Sequence, residues 1–215
     1  MTRGAAARLF VAAELPQPVR ERLVEWGRLA AAALRQGGEA RGALRLLDAE
    51  SLHLTLCFLG SRPVAEIDPL GRALGPCAEG PVFELGLGAP LWLPPRRPAT
   101  LAIEVHDDSG ALGALQERVG GALAAASGWR PEHRRFRPHV TVARVRGRQR
   151  VPGAGADGRG RGEAADRGSP RRERSLPATP RLSFSPPALV LYRSWLDQAG
   201  ARYEALASYP LVDDG

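Results

Sequence analysis

The sequence predicts an α+β fold with largely antiparallel sheets. Three observations carry that prediction. Short β-prone runs alternate with segments of helical periodicity along the chain. No strand is followed by the Gly-rich loop of a doubly wound nucleotide fold. The chain has 215 residues, 44% hydrophobic and 25% charged, enough for one domain with a real core.

Arg8 to Glu14 reads as the first strand. Pro16 and Pro18 then sit where a helix begins, and Val19, Leu23, Trp26, Leu29, Ala30 and Ala33 recur at helical spacing, predicting an inward face. Leu44 to Leu47 is a short strand and Leu52 to Leu59 a stronger one. Ala65 to Cys77 is helical, with Ile67, Leu70, Leu74 and Cys77 inward. Val82 to Leu87 and Leu101 to Val105 are strands on either side of the turn LPPRRP. Asp108 or Ser109 caps a helix to about Ala126, with Leu112, Leu115, Val119, Ala122 and Leu123 inward. Val140 to Val145, Ala188 to Trp195 and Arg202 to Leu206 complete the strands.

Between them, residues 146–181 are rich in Gly, Pro and Arg and nearly free of large apolar side chains. Such a segment cannot bury enough surface to offset its chain entropy, so it is expected to be disordered, interrupting a single domain that spans 1–215. It holds ten arginines against four acidic residues, while the whole chain is only +7, so the basic character lies mostly there. A passive insertion is the simpler account, because long loops add little closure entropy. An RNA-attracting arm is the functional alternative.

No apolar run is long enough for a membrane span. The N-terminal stretch meets Glu14 and two prolines too early for a secretory signal, so it is read as a strand and the protein is expected to be cytoplasmic. Cys57 and Cys77 are too few for a disulfide framework or a four-ligand zinc site.

Chemistry concentrates in two short stretches. Residues 52 to 58 read LHLTLCF and residues 138 to 145 read PHVTVARV. Each is His-x-Thr inside a β-prone run, and in a strand residues i and i+2 share a face. His53 and Thr55 therefore point one way while their apolar neighbours point into a core, and His139 and Thr141 do the same. One strand histidine is ordinarily structural. Independent structural histidines have no reason to share the same partner at the same spacing, so the duplication points to function. Metal binding is disfavoured, since two histidines without His-x-His or His-x-x-x-His spacing make a poor site and threonine is not a usual zinc ligand.

Two imidazoles facing one cleft suit phosphodiester chemistry. With an ordinary pKa near 6.5, one can accept a proton from water while the other donates to the leaving oxygen. The threonine hydroxyls can donate to the non-bridging oxygens. Arg137 and Arg144 are candidate cations for the developing charge. Strict alternation puts Arg144 on the face opposite His139, and it reaches the cleft only if the strand bends, bulges or ends there. Arg130, Arg134 and Arg135 read as a solvated rim, and His106 and His133 as surface residues. Trp92 and Phe136 are open between base stacking and core packing, and Cys57 is read as a small buried thiol that can border the cleft.

With SLHLTLCFLG and FRPHVTVARV in this order, the chain resembles the two-histidine phosphoesterases, and within them the bacterial and archaeal RNA 2′,3′-cyclic phosphodiesterases, historically called 2′-5′ RNA ligases. RLFVAAELPQPVRERL is similar to the family's opening strand and helix, and LVLYRSWLDQAGARYEALASYPL to its closing strands. The resemblance implies a bilobal, pseudo-symmetric α+β fold with antiparallel sheets lining a central cleft and helices outside. It implies opening of a terminal 2′,3′-cyclic phosphate to a 2′-phosphate without metal or cofactor. On it His53 is the proton donor and His139 the acceptor, while Thr55, Thr141 and Arg144 bind phosphate. The implied partner is RNA with a 2′,3′-cyclic phosphate end, tRNA fragments among them, acted on by a monomer away from membranes. The same site run backwards gives 2′-5′ ligation. The rival functions are a non-catalytic RNA- or nucleotide-binding module and a phosphodiesterase for small cyclic nucleotides or 2′-5′ oligoadenylate.

Overall fold

The computed structural model describes residues 5–36, 44–95, 98–131, 135–145, 176–197 and 200–211. His133, Arg134 and most of the Arg-rich segment, 146–175, lie outside the described residues. In chain order the elements are β1 (Ala6–Ala13), α1 (Gln17–Gln36), β2 (Leu44–Leu46), β3 (Leu54–Pro63), α2 (Ile67–Ala78), β4 (Leu85–Leu93), β5 (Thr100–His106), α3 (Ala111–Ser127), β6 (His139–Val145), β7 (Ser183–Phe184), β8 (Ala188–Asp197) and β9 (Gly200–Pro210).

Among the described residues every strand pairing is antiparallel. The strands make one open sheet in the order β7-β4-β5-β6-β3-β1-β8-β9, with β2 alongside β6. Two strand groups are visible in that order. One is β3-β1-β8-β9 and the other β7-β4-β5-β6 with β2; they meet at the pair Leu54 and Val140. This is the α+β arrangement with two motif-bearing halves that the sequence predicts. α1 packs on β2 and β6, and α2 lies between α3 and the β8–β9 hairpin. Among the described residues, no helix is long and apolar enough to cross a membrane.

The core lies between sheet and helices. Leu9, Val11 and Ala13 of β1 face it, with Leu23 and Trp26 of α1, Leu70 and Leu74 of α2, and Leu112, Leu115 and Leu123 of α3. Burying side chains of this size contributes roughly 1.5–3 kcal/mol each. Leu29 departs from the predicted inward face of α1: it is 56% exposed, and Gly27 and Ala31 are buried instead. The helix meets the sheet along a narrow stripe whose small residues allow close approach, so Leu29 falls just outside it.

Several boundaries shift. β4 starts at Leu85 and runs through Pro90 to Leu93, later than the alternation from Val82 predicts, because Val82 is 44% exposed and precedes any ladder. Ser109, not Asp108, helps to cap α3. Its hydroxyl accepts from the Ala111 N–H at 3.2 Å, and Asp107 accepts from Gly113 N–H at 3.0 Å. The end of the predicted insertion is fixed in place: Leu176 packs against the core and the Pro177 carbonyl accepts from Trp26 Nε1 at 3.0 Å.

Gly60 in β3 sits at φ 72°, where a register shift between Leu9 and Phe10 interrupts the β1–β3 ladder. An added Cβ would meet nothing within 4 Å, so the position selects glycine through its backbone alone. Gly60→Ala is expected to lower unfolding stability by about 1–2 kcal/mol, read from the urea midpoint at unchanged m. An unchanged midpoint would contradict this.

Candidate active site

The two motifs meet in the middle of the sheet. Leu54 of β3 and Val140 of β6 are directly paired and fully buried on the core side. Their neighbours in each chain therefore face the opposite side of the sheet. In that register His53 stands across from Thr141, and His139 across from Thr55. The four predicted groups come together on one face, with the histidines as diagonal neighbours.

Each ring is held in the same way. His53 Nδ1 lies 3.0 Å from the Ser51 carbonyl, and His139 Nδ1 lies 2.8 Å from the Arg137 carbonyl. A carbonyl oxygen only accepts, so both Nδ1 atoms carry hydrogen and both Nε2 atoms are left for chemistry. The short turn Ala49–Ser51 presents the first carbonyl, and the Asp48 carboxylate holds it by accepting from the Ser51 N–H at 3.0 Å. The second is presented by the extended run entering β6, where the Pro138 carbonyl accepts from the Val105 N–H.

The surroundings of the two rings differ. His53 lies against an aromatic wall: Phe10 at 4.8 Å between ring centroids, Tyr203 edge-on at 5.1 Å and Tyr192 at 6.0 Å. Burial there lowers its pKa from 6.5 to about 4, against the opposing effect of the Ser51 carbonyl, and the charges of Arg144 and His139 push the same way as burial. The Tyr192 hydroxyl donates to Glu14 at 3.1 Å, and burial ahead of that carboxylate pushes the phenol above its ordinary range.

Arg144 reaches this face through a bulge. In the β5–β6 ladder Leu101 pairs with Ala143 but Ala102 pairs with Thr141, leaving Val142 as the extra residue. The bulge shifts the alternation by one, so Val142 and Ala143 are both buried while Arg144 is exposed and acts electrostatically on His53. β3 has the same device. Val11 pairs with Cys57 and Ala12 with Thr55, leaving Leu56 extra. Phe58, five residues after His53 as Arg144 is five after His139, is 52% exposed with its ring 5.9 Å from Phe10.

Other candidates go elsewhere. The Arg137 guanidinium pairs with Glu104 at 3.2 Å, and Glu104 stands across from His139. Trp92 and Phe136 pack against the core. The Leu56 bulge turns Cys57 into the core, where burial raises its pKa to about 11 despite a weak bond from Gln116. His106 is exposed at the end of β5. Among the described residues no group of three or more His, Cys, Asp or Glu could hold a metal ion. Phe10, Tyr192 and Tyr203 were not predicted for the site. They join it through strand pairings between segments far apart in sequence, and no local pattern announces them. Arg45, another unpredicted residue, stands directly across from Arg144.

Residues 18–154 match the family described as the 2′-5′ RNA ligase superfamily, well over half of the chain. The chain belongs to this superfamily. Among curated relatives of this superfamily member, it is 30% identical over 164 residues to an RNA 2′,3′-cyclic phosphodiesterase of Geobacillus stearothermophilus, covering 76% of this chain and 46% of that protein. It is 34% identical over 113 residues to the protein of the same name from Aeropyrum pernix, covering 51% and 61%. The chain thus spans about half to three fifths of the length of these relatives. In fold, this superfamily member is similar to a crystal structure from Thermus thermophilus, with TM-score 0.70, 24% identity and 97% and 100% of the two chains covered. E. coli LigT complexed with 3′-AMP follows with TM-score 0.66, 23% identity and the same coverage.

Proposed function

We propose that this protein is an RNA 2′,3′-cyclic phosphodiesterase that opens the terminal cyclic phosphate to a 2′-phosphate by paired histidine acid–base catalysis. The observation that carries this reading is the matched tethering of the rings: each Nδ1–H is bound to a carbonyl two residues back, on adjacent strands that share one face with Thr55 and Thr141. The curated names of the two relatives support the same activity.

In the proposed step, neutral His139 accepts a proton from water at Nε2 as the water oxygen bonds to phosphorus. The P–O3′ bond breaks, and protonated His53 gives its Nε2 proton to the departing 3′-oxygen. The product is a 2′-phosphate with a free 3′-hydroxyl. Thr55 and Thr141 donate to the non-bridging oxygens, and Arg144 stabilises the charge that builds on them. Arg137 acts at the same edge, its guanidinium balanced by Glu104 and its carbonyl orienting His139. Phe58, exposed and backed by the buried ring of Phe10, offers a ring face to the terminal base. A 5′-hydroxyl in place of water forms a 2′-5′ linkage by the same transfers. The substrate class is RNA carrying such ends, tRNA fragments included, handled in the cytoplasm by one copy of the chain.

The test is incubation with a 2′,3′-cyclic-phosphate oligonucleotide in EDTA, followed by end-group mapping. A 2′-phosphate product formed at full rate in chelator is expected. A 3′-phosphate product, or activity only with added metal, would overturn the reading.

A further inference from the structure

A second arginine faces the same side of the sheet as Arg144. β2 runs antiparallel to the far end of β6 and sets Arg45 directly opposite Arg144. Its neighbours Leu44 and Leu46 pack against the core, and Leu46 reaches α1 at Gly27. Alternation along the strand therefore turns Arg45 away from α1, onto the cleft side. Thr100 flanks Arg144 from β5. Like charges directly opposite one another on paired strands repel, and an anion that meets both guanidinium groups is attracted to each of them. Arg144 also lies close enough to act on His53, so the pair borders the reacting groups.

The chemistry of a nucleotide fits this layout. In a ribose 2′,3′-cyclic phosphate the base hangs from C1′, next to C2′, and the 5′-phosphate from C5′, beyond C3′. The two lie on opposite flanks of the reacting phosphorus. The paired bulges give the site two unlike flanks, a ring at Phe58 and a cation at Arg144. With His53 serving the 3′-oxygen, the 5′ side of the nucleotide falls toward Arg144 and Arg45.

We infer that Arg45, beside Arg144, forms a second phosphate subsite, which takes the non-reacting 5′-phosphate of the terminal nucleotide while Arg144 stays on the reacting one. The inference rests on the phosphodiesterase reading for its orientation, but it is tested by binding, without turnover. Calorimetric titration with adenosine 2′-monophosphate and adenosine 2′,5′-bisphosphate compares one phosphate with two. The bisphosphate is expected to bind at least tenfold more tightly to the unaltered protein. In Arg45→Ala this preference should shrink to under threefold, and the bisphosphate's extra affinity should lose its salt sensitivity. Arg45→Lys should retain an intermediate preference, separating lost charge from a disturbed fold. No preference in the unaltered protein, no binding of either ligand, or equal weakening of both ligands in Arg45→Ala would each overturn the subsite. Intact preference without turnover of a cyclic phosphate would overturn the phosphodiesterase reading alone.

Discussion

His53→Ala and His139→Ala are each expected to lower kcat on a 2′,3′-cyclic-phosphate oligonucleotide by about two to four orders of magnitude, the usual contribution of a positioned general acid or base. KM should change far less, because on the proposed reading the threonines and Arg144 still hold the phosphate. The two substitutions are also expected to be non-additive. In the proposed mechanism acid and base act in one transition state, so the double variant should fall to nearly the same floor as either single one. Steady-state kinetics with an electrophoretic check of product identity would read both effects. Turnover within tenfold of the unaltered protein in either single variant would remove the proposed paired-histidine mechanism.

The buried setting of His53 is expected to appear in two pH experiments. Its pKa is about 4 in the folded protein and near 6.5 when unfolded. Between these values the unfolded chain binds a proton that the folded chain does not. Stability from this group is therefore complete above about pH 6.5 and is lost as pH falls toward 4, amounting to roughly 3 kcal/mol over that interval. His53→Gln should flatten this part of the profile in urea titrations at stepped pH; an identical slope in the variant would contradict the assignment. The same low pKa means that His53 is neutral in the free protein at pH 7, whereas the proposed proton donor must be charged. An anionic phosphate between the rings supplies the missing attraction, offsetting Arg144 and His139. Binding of adenosine 2′-monophosphate at pH 7 should accordingly take up a proton, measured as a binding enthalpy that varies with the ionisation enthalpy of the buffer. Binding without uptake would contradict the proposed donor role of His53.

The centre of the site was legible because it is written in nearest-neighbour periodicity. His-x-Thr twice on strands needs only the two-residue repeat to put all four groups on polar faces, and the β3–β6 pairing makes those faces one. Arg144 was legible as a candidate but not in its placement. A bulge is decided by how β5 pairs with β6, and strict alternation in β6 alone sends the side chain to the wrong face. Phe10, Tyr192 and Tyr203 were invisible to local pattern, since their meeting with His53 depends on β1 lying between β3 and β8. Arg45 left a faint trace, a charged residue between two leucines in a three-residue strand. The helices were read well where apolar periodicity was strong, and Leu29 failed because periodicity locates a stripe but not its width.

The order in which the strands enter the sheet bears on how the protein is made. β1 and β3 emerge early, but β8, which zips onto the other side of β1, begins at Ala188. At about 5–20 residues per second, a ribosome adds Tyr192 and Tyr203 roughly ten to forty seconds after Phe10. Through that interval the nascent chain carries an open β-edge along Leu9 to Ala13, and His53 lacks part of its enclosure. A translation product halted in the arginine-rich stretch would hold both His-x-Thr motifs and still be an unfinished protein with a sticky edge, a natural client for chaperones or proteases.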